Sequence, residues 1–264
     1  MAVQFTNTDL PDIIELRNIS QTYNGGETYV VKDLNFLVEN DGTKGRFYVL
    51  LGRSGCGKST LLKMIAGLQK PTSGEVLIYG KPKTDDVAVS MVFQNYALSC
   101  FPWYSVIENV ALPLSYKGIK KRDRTERARE IIKKVGLEGH ENKYPKQLSG
   151  GQLQRVAIAR SLINNPQLIL MDEPLSALDI CTRLEMQLLL LQIKETIKPT
   201  VIFVSHDIQE AVLLGDEIYI IKPNPTTIEK CIHDDLSDFR DVNTKNHPHF
   251  LELSRRVEEL LFST

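Results

Sequence analysis

The chain has 264 residues, 32 of them basic and 33 acidic, so its formal net charge is −1. A balance that close gives no overall pull toward nucleic acid or an anionic membrane, although it leaves room for a local basic face. The hydrophobic fraction of 42% and charged fraction of 25% are those of an ordinary folded domain with ample material for a core.

The first residues, MAVQFTNTDLPD, show no basic patch followed by an apolar run, so no signal peptide is expected. Nor does any apolar stretch approach the roughly eighteen residues of a membrane span. Runs rich in β-branched and aromatic residues at 13–20, 31–38 and 47–51 predict strands, punctuated by turns at 24–26 and at Asp41-Gly42. A helix is expected at 58–68, and further strands at 75–79 and 87–93. From about 95 to 165 the pattern changes to helices with loops. There, 121–135 carries Ala128, Ile131, Ile132 and Val135 at helical spacing, and 152–163 reads as another helix. Strands resume at 168–171, 200–205 and 217–221, with a helix at 182–197. A last helix at 248–262 reads as a surface appendage. Strands alternating with helices predict an α/β fold with a mainly parallel sheet covered on both faces. The helical block that interrupts them reads as an inserted subdomain. The expected division is a single domain, 1–264, with a core at 1–94 and 166–247, a helical subdomain at 95–165 and a C-terminal helix at 248–264. Cys56, Cys100, Cys181 and Cys231 form no C-x-x-C pair, which suits free thiols in a reducing compartment.

Three segments carry chemistry. Gly52, Arg53, Ser54, Gly55, Cys56, Gly57, Lys58, Ser59 and Thr60 follow a buried-strand pattern and open a helix. Glycines let backbone N–H groups curl around a triphosphate, and the helix N-terminus adds a favourable dipole. Lys58 would reach the β- and γ-phosphates and the Ser59 hydroxyl would ligate Mg²⁺. The alternative is a chance glycine-rich turn. Asp172 and Glu173 end an apolar strand, where the acids of an open α/β sheet face a ligand. Asp172 would partner Mg²⁺ and Glu173 would polarise an attacking water, although such a pair is also the pattern of a solvated turn. Leu148-Ser149-Gly150-Gly151-Gln152 begins a helix and is either a second anion-binding helix start or a serine cap followed by flexible glycines.

Taken together the chain resembles the nucleotide-binding subunits of ABC transporters, from Ile13 to Leu261. The resemblance rests on six elements in order: Tyr23 after the first strand, Gly52–Ser59, Gln94 ending a strand, Leu148–Gln152, Asp172-Glu173 with Ser176-Ala-Leu-Asp179, and His206 in Ser-His-Asp. It implies a P-loop NTPase-like sheet flanked by helices, with an antiparallel β region and an inserted helical subdomain. It also implies ATP and Mg²⁺ as ligands and hydrolysis of ATP to ADP and phosphate. By the same resemblance Tyr23 stacks on adenine, and Gln94 contacts Mg²⁺ and the attacking water. Ser149 and Gly151 bind the γ-phosphate held by a second subunit, with Gly150 and Gln152 in the same nucleotide-binding segment; Asp179 crosses the dimer interface, and His206 contacts the γ-phosphate. The implied partners are a second copy or a paralogous ATPase, transmembrane permease subunits and, indirectly, a solute-binding protein, with no nucleic acid. The implied place is the cytoplasmic side of the cell's inner membrane, as a peripheral subunit.

A free-standing ATPase and the lead-in Tyr144-Pro-Lys-Gln-Leu148 resemble importers, and the ending 247–261 resembles the nitrate, sulfonate, taurine and bicarbonate group. Gln152 stands where that group often has Met, and Leu175-Ser176 where it often has Phe-Gly. The segment 94–103 is slightly longer than the usual linker to Pro102-Trp103; it either alters the permease contact or is a harmless surface insertion. An exporter or lipid-extraction ATPase is the alternative. A DNA-repair ATPase of the superfamily should carry a long coiled-coil or zinc-bearing insertion, and the sequence shows neither.

Overall fold

The computed structural model describes residues 10–23, 28–82, 88–95, 99–223, 225–233, 236, 240–241 and 243–262, with backbone alone at 229–231. The turn expected at 24–26, Val87 and the Cys231 side chain lie outside the described residues. So does 96–98, the middle of the expected longer linker.

Strand β3 (Phe47–Gly52) is buried along its whole length. Side chains alternate across a strand, so β3 divides between two cores: Phe47, Val49 and Leu51 enter one, Tyr48 and Leu50 the other. Strands β7 (Leu168–Asp172) and β8 (Thr200–Ser205) divide the same way, with Ile169, Met171, Val201 and Phe203 on one side and Leu168, Leu170, Ile202 and Val204 on the other. A strand covered on both faces has no polar side, which is why these segments read as continuous apolar runs.

These strands belong to a six-stranded sheet in the order β10-β9-β3-β8-β7-β6, completed by β6 (Val89–Val92), β9 (Glu217–Lys222) and β10 (Thr227–His233). All neighbours are parallel except β10 and β9. A second, antiparallel sheet has the order β2-β1-β4-β5, from β1 (Ile14–Tyr23), β2 (Thr28–Val38), β4 (Ser73–Ile78) and the short β5 (Lys81–Pro82). Helix α1 (Lys58–Ile65) buries Leu61, Leu62, Met64 and Ile65 in the core the two sheets share. The other core receives α2 (Val106–Tyr116), α3 (Lys121–Lys134), α4 (Gly150–Leu162), α5 (Ile180–Thr196), α6 (Ile208–Leu214) and α7 (Pro248–Phe262). The expected mixed α/β fold, parallel sheet plus antiparallel sheet, is the observed one.

Boundaries move where caps decide them. Helix α1 stops at Ile65 because the N–H groups of Gly67 and Leu68 turn back onto the carbonyls of Met64 and Lys63. Helices α4 and α5 begin at Gly150 and Ile180, two residues earlier than the sequence suggests, because Ser149 and Asp179 cap them. Of the strand expected at 87–93, the described residues 88–93 form it at Val89–Val92.

The expectation of an appended C-terminal helix is corrected. Phe250, Leu253 and Val257 of α7 are buried in the helix-side core. The Arg240 guanidinium just upstream donates to the carbonyls of Val212, Leu213 and Gly215 at the end of α6, at 3.2, 2.8 and 2.8 Å. A buried guanidinium needs such acceptors, and here they tie the incoming chain to the core. Phe250→Ala is therefore expected to lower unfolding free energy in urea by about 3–5 kcal/mol, against the roughly 0.5 kcal/mol expected for a surface position.

Candidate functional site

The loop from β3 into α1 turns on Gly57, the α1 cap, which sits at φ 90. Lys58, 3% exposed, folds back so that its ammonium donates to the carbonyls of Gly52 at 2.7 Å and Arg53 at 3.0 Å. The Cys56 thiol lies 3.7 Å from the same nitrogen. The Ser59 hydroxyl donates to Asp172 Oδ1 at 2.8 Å, joining the start of α1 to the end of β7. Burial pushes the Asp172 carboxyl above its ordinary pKa, and the bond from Ser59 partly opposes the rise.

Next along the chain, Glu173 leaves the sheet with a left-handed backbone, φ 42. A non-glycine residue there costs about 1–2 kcal/mol. The turn is held by Glu173 N–H on the Val204 carbonyl at 3.2 Å, and by the Ser176 N–H and hydroxyl on the Glu173 carbonyl at 3.2 and 3.0 Å. The turn aims the carboxylate at three groups. Lys58 Nζ is 3.8 Å from Oε1, while His206 Nδ1 at 3.2 Å and Gln94 Nε2 at 3.4 Å both face Oε2. Six residues from four separate stretches, Lys58, Ser59, Gln94, Asp172, Glu173 and His206, thus meet near the ends of β3, β6, β7 and β8.

Tyr23, at the end of β1, stands beside this loop. Its phenol oxygen accepts from Gln69 Nε2 at 3.2 Å. Hydrogen bonds from Gln69 and then Thr60 hold its pKa below the ordinary phenol value. The residue remains 45% exposed. Among Gly52–Thr60, Arg53, Ser54 and Gly55 are exposed along the outer turn.

The segment Ser149–Gln152 is built separately. Ser149 Oγ accepts from the Gln152 N–H at 3.3 Å, and Gln152 Oε1 accepts from the Ser149 N–H at 3.1 Å, a reciprocal cap. That bond fixes the amide, whose NH₂ then faces His140 Nε2 at 3.2 Å. Gly150 is exposed, whereas Gly151 is buried so close to α5 that a Cβ there would stand 2.4 Å from Thr182 Cγ2. Thr182 is in turn held by Asp179, which accepts from the N–H groups of Cys181 and Thr182 at 3.1 Å each and from the Thr182 hydroxyl at 2.7 Å. Ser149, Gly151, Gln152 and Asp179 therefore form one cluster of two helix starts. Among the described residues no hydrogen bond or ion pair joins it to the Gly52–Thr60 loop.

Three neighbours escaped the sequence reading. His140 reaches the Ser149–Gln152 segment only in space, through Gln152. Thr226, between β9 and β10, reaches the Cys56 carbonyl from 170 residues away. Neither lies in a recognisable string. Thr182, three residues after Asp179, is the one that cap logic on Asp179 would have found.

Among the described residues no group of three or more His, Cys, Asp or Glu is placed to cage a metal ion. The Ser59 hydroxyl and Asp172 carboxylate are nonetheless hard oxygen donors 2.8 Å apart. That is the donor set Mg²⁺ takes when phosphate and water supply the rest.

Comparison with known proteins gives one family. The model described as "ABC transporter" matches residues 32–176. An uncharacterised ABC transporter ATP-binding protein of Methanocaldococcus jannaschii is 42% identical over 252 residues, covering 94% of this chain and 91% of that protein. An ATP-binding cassette solved as a dimer in a post-hydrolysis state, bound to ADP and Pi, is 37% identical with a TM-score of 0.70, covering 83% of this chain and 98% of its own. CbiO1 from Clostridium perfringens, described as part of the ABC transporter complex CbiONQ, is 25% identical with a TM-score of 0.75, covering 96% of both chains.

Behind His206, the Ser205 hydroxyl donates to Glu210 Oε2 at 2.8 Å, and burial pushes the Glu210 carboxyl above its ordinary pKa. The fold thus favours the neutral acid, and its contribution to stability falls as pH rises above the ordinary carboxylate range. Glu210→Gln keeps an acceptor for Ser205 and removes the charge. Its unfolding free energy relative to wild type should therefore rise between about pH 4 and about pH 7 in urea titrations. A relative fall over that interval would contradict the burial argument.

Proposed function

The chain belongs to the ABC transporter family as one of its ATP-hydrolysing cassettes, and on that premise we propose that it works as half of a nucleotide-sandwiching dimer driving solute import through a separate permease. The observation that carries the reading is the convergence of Lys58, Gln94 and His206 on the Glu173 carboxylate. With ATP bound, Lys58 turns from the loop carbonyls toward the β- and γ-phosphates, and the loop's N–H groups hold the same oxygens. Ser59, Asp172 and Gln94 would hold Mg²⁺, which when bound neutralises phosphate charge. Glu173 takes a proton from water as the water oxygen bonds to the γ-phosphorus and the bond from phosphorus to the ADP oxygen breaks. His206 and Gln94 orient that carboxylate and contact the γ-phosphate and the water. Tyr23 stacks on adenine.

The second site, Ser149 to Gln152 with Asp179, has its own anion-suited helix start and, among the described residues, no bond to the loop. We place it against the nucleotide of the other subunit in a two-fold dimer, so that loss of the γ-phosphate opens the pair. Dimeric cassettes similar to this chain, one of them holding ADP and Pi, support that arrangement.

Among the described residues no helix is long and apolar enough to cross a membrane, so coupling is assigned to a partner. A groove lined by Phe93, Phe101, Leu112, Pro113, Tyr116 and Arg160 lies beside Gln94 on the helical side. Tyr116 there is 81% exposed. Its apolar lining suits a short helix of the permease, and that contact connects the membrane subunit to Gln94. CbiO1, as part of a transporter complex, supports the assembly. The same reading places the subunit on the cytoplasmic face of the inner membrane. It also assigns the importer to the nitrate, sulfonate, taurine and bicarbonate group, fed by a solute-binding protein.

Glu173→Gln is expected to abolish turnover, retain ATP binding and accumulate a closed dimer on gel filtration with MgATP. Wild-type turnover in that variant would refute the assignment of the base. Lys58→Ala is expected to lose ATP binding and hydrolysis together, and unchanged ATP affinity by calorimetry would contradict its phosphate role. The sandwich is tested by crosslinking cysteines placed at 149 and 54 in the Glu173→Gln background, with native cysteines replaced. An ATP-dependent bond between chains is expected; intrachain or ATP-independent bonds alone would exclude the arrangement.

A further inference from the structure

We propose that Thr226 is a positioning residue for the phosphate loop, its hydroxyl holding the Cys56 carbonyl so that the Gly57 N–H is turned to the opposite side. The proposal rests on the nucleotide reading above. Thr226 is 1% exposed and lies just before β10, on the route from the catalytic sheet to the C-terminal segment. Its N–H donates to the Val30 carbonyl of β2 at 2.8 Å. Its hydroxyl oxygen lies 2.7 Å from that same carbonyl and 2.8 Å from the Cys56 carbonyl. A hydroxyl has one proton to give. The Val30 carbonyl already has the backbone N–H, so the proton satisfies more at Cys56, a carbonyl in the interior of the loop.

The peptide between Cys56 and Gly57 is planar and trans, so its C=O and N–H point in opposite directions. Fixing the oxygen against Thr226 therefore fixes the direction of the Gly57 N–H, one of the loop's donors for phosphate. The contact is close: a Cβ on Gly57 would stand 2.3 Å from Thr226 Oγ1 and 3.2 Å from Val30 Cγ1. The loop thus rests on a wall made by β2 and the connection between β9 and β10. Thr226 touches the loop and not the reacting atoms, so it should act on nucleotide affinity and leave the chemical step alone.

The test compares Thr226→Ser with Thr226→Ala in the full chain, since both lack the methyl group and only serine keeps the hydroxyl. Calorimetry with MgATP and MgADP should show binding within about twofold of wild type for Thr226→Ser and about tenfold weaker for Thr226→Ala. The weakening should be equal for both nucleotides, because each places a β-phosphate in the loop. At saturating ATP the alanine variant should keep its kcat within about twofold while KM rises, with rescue by serine. Its nucleotide-free melting temperature should stay close to that of the serine variant. Equal affinities for serine and alanine would overturn the proposal. If Thr226→Ala fails to fold, Thr226→Val, which fills the space without the proton, replaces it in the same comparison. Failure of both to fold, with serine folding normally, would assign the hydroxyl to overall stability and overturn the positioning role. Wild-type protein that binds neither nucleotide would instead refute the underlying ATPase reading.

Discussion

An ammonium group held almost out of water must be given oxygen atoms, and Lys58 sets that demand at the centre of the molecule. Its nearest acceptors are carbonyls of its own loop, so the loop must curl inward around it. That curl requires the left-handed turn at Gly57, and the turn leaves no room for a side chain against Thr226. The carboxylate of Glu173 approaches from the other side only because its backbone is bent out of the sheet. Each distortion follows from placing one positive charge at the C-terminal edge of strands buried on both faces.

What could be read from the sequence is what lies in short contiguous strings. The loop residues, the acidic pair and the serine–glycine segment each occupy a few neighbouring positions, and their types state the chemistry. Strands β3, β7 and β8 were legible because two-sided burial makes them apolar throughout. Helix α6, seven residues long, offers too few turns for a periodic pattern to stand out. Helix α2 carries Pro113 inside it, which reads as an interruption. The burial of α7 was missed because an amphipathic stripe does not reveal what it packs against. Thr226 and His140 were illegible for a different reason: their partners are spatial, and an isolated threonine or histidine carries no address.

The pairing of the two helix starts has its own logic. The Ser149 hydroxyl is already engaged in its own cap, and Gly151 is locked against Thr182, which Asp179 holds. Shifting one helix start therefore disturbs the other. A ligand contacting the serine–glycine segment is felt at Asp179 through van der Waals contact and two caps, without any intervening loop. Side chains from α4 and α5 enter the same core, which gives that block the stiffness of close packing.

Strand β6 closes one edge of the parallel sheet. Among the described residues it is paired only with β7, over four positions, whereas β3, β7 and β8 each have neighbours on both sides. Gln94 stands two residues past its end. An edge strand with a single short ladder opens at lower free energy than strands in the sheet's interior. The glutamine facing Glu173 thus follows an edge strand of the sheet, while the lysine and the acids follow strands of its interior. In mechanical terms, the glutamine's mount is braced from one side, whereas the mounts of the lysine and the acids are braced from both.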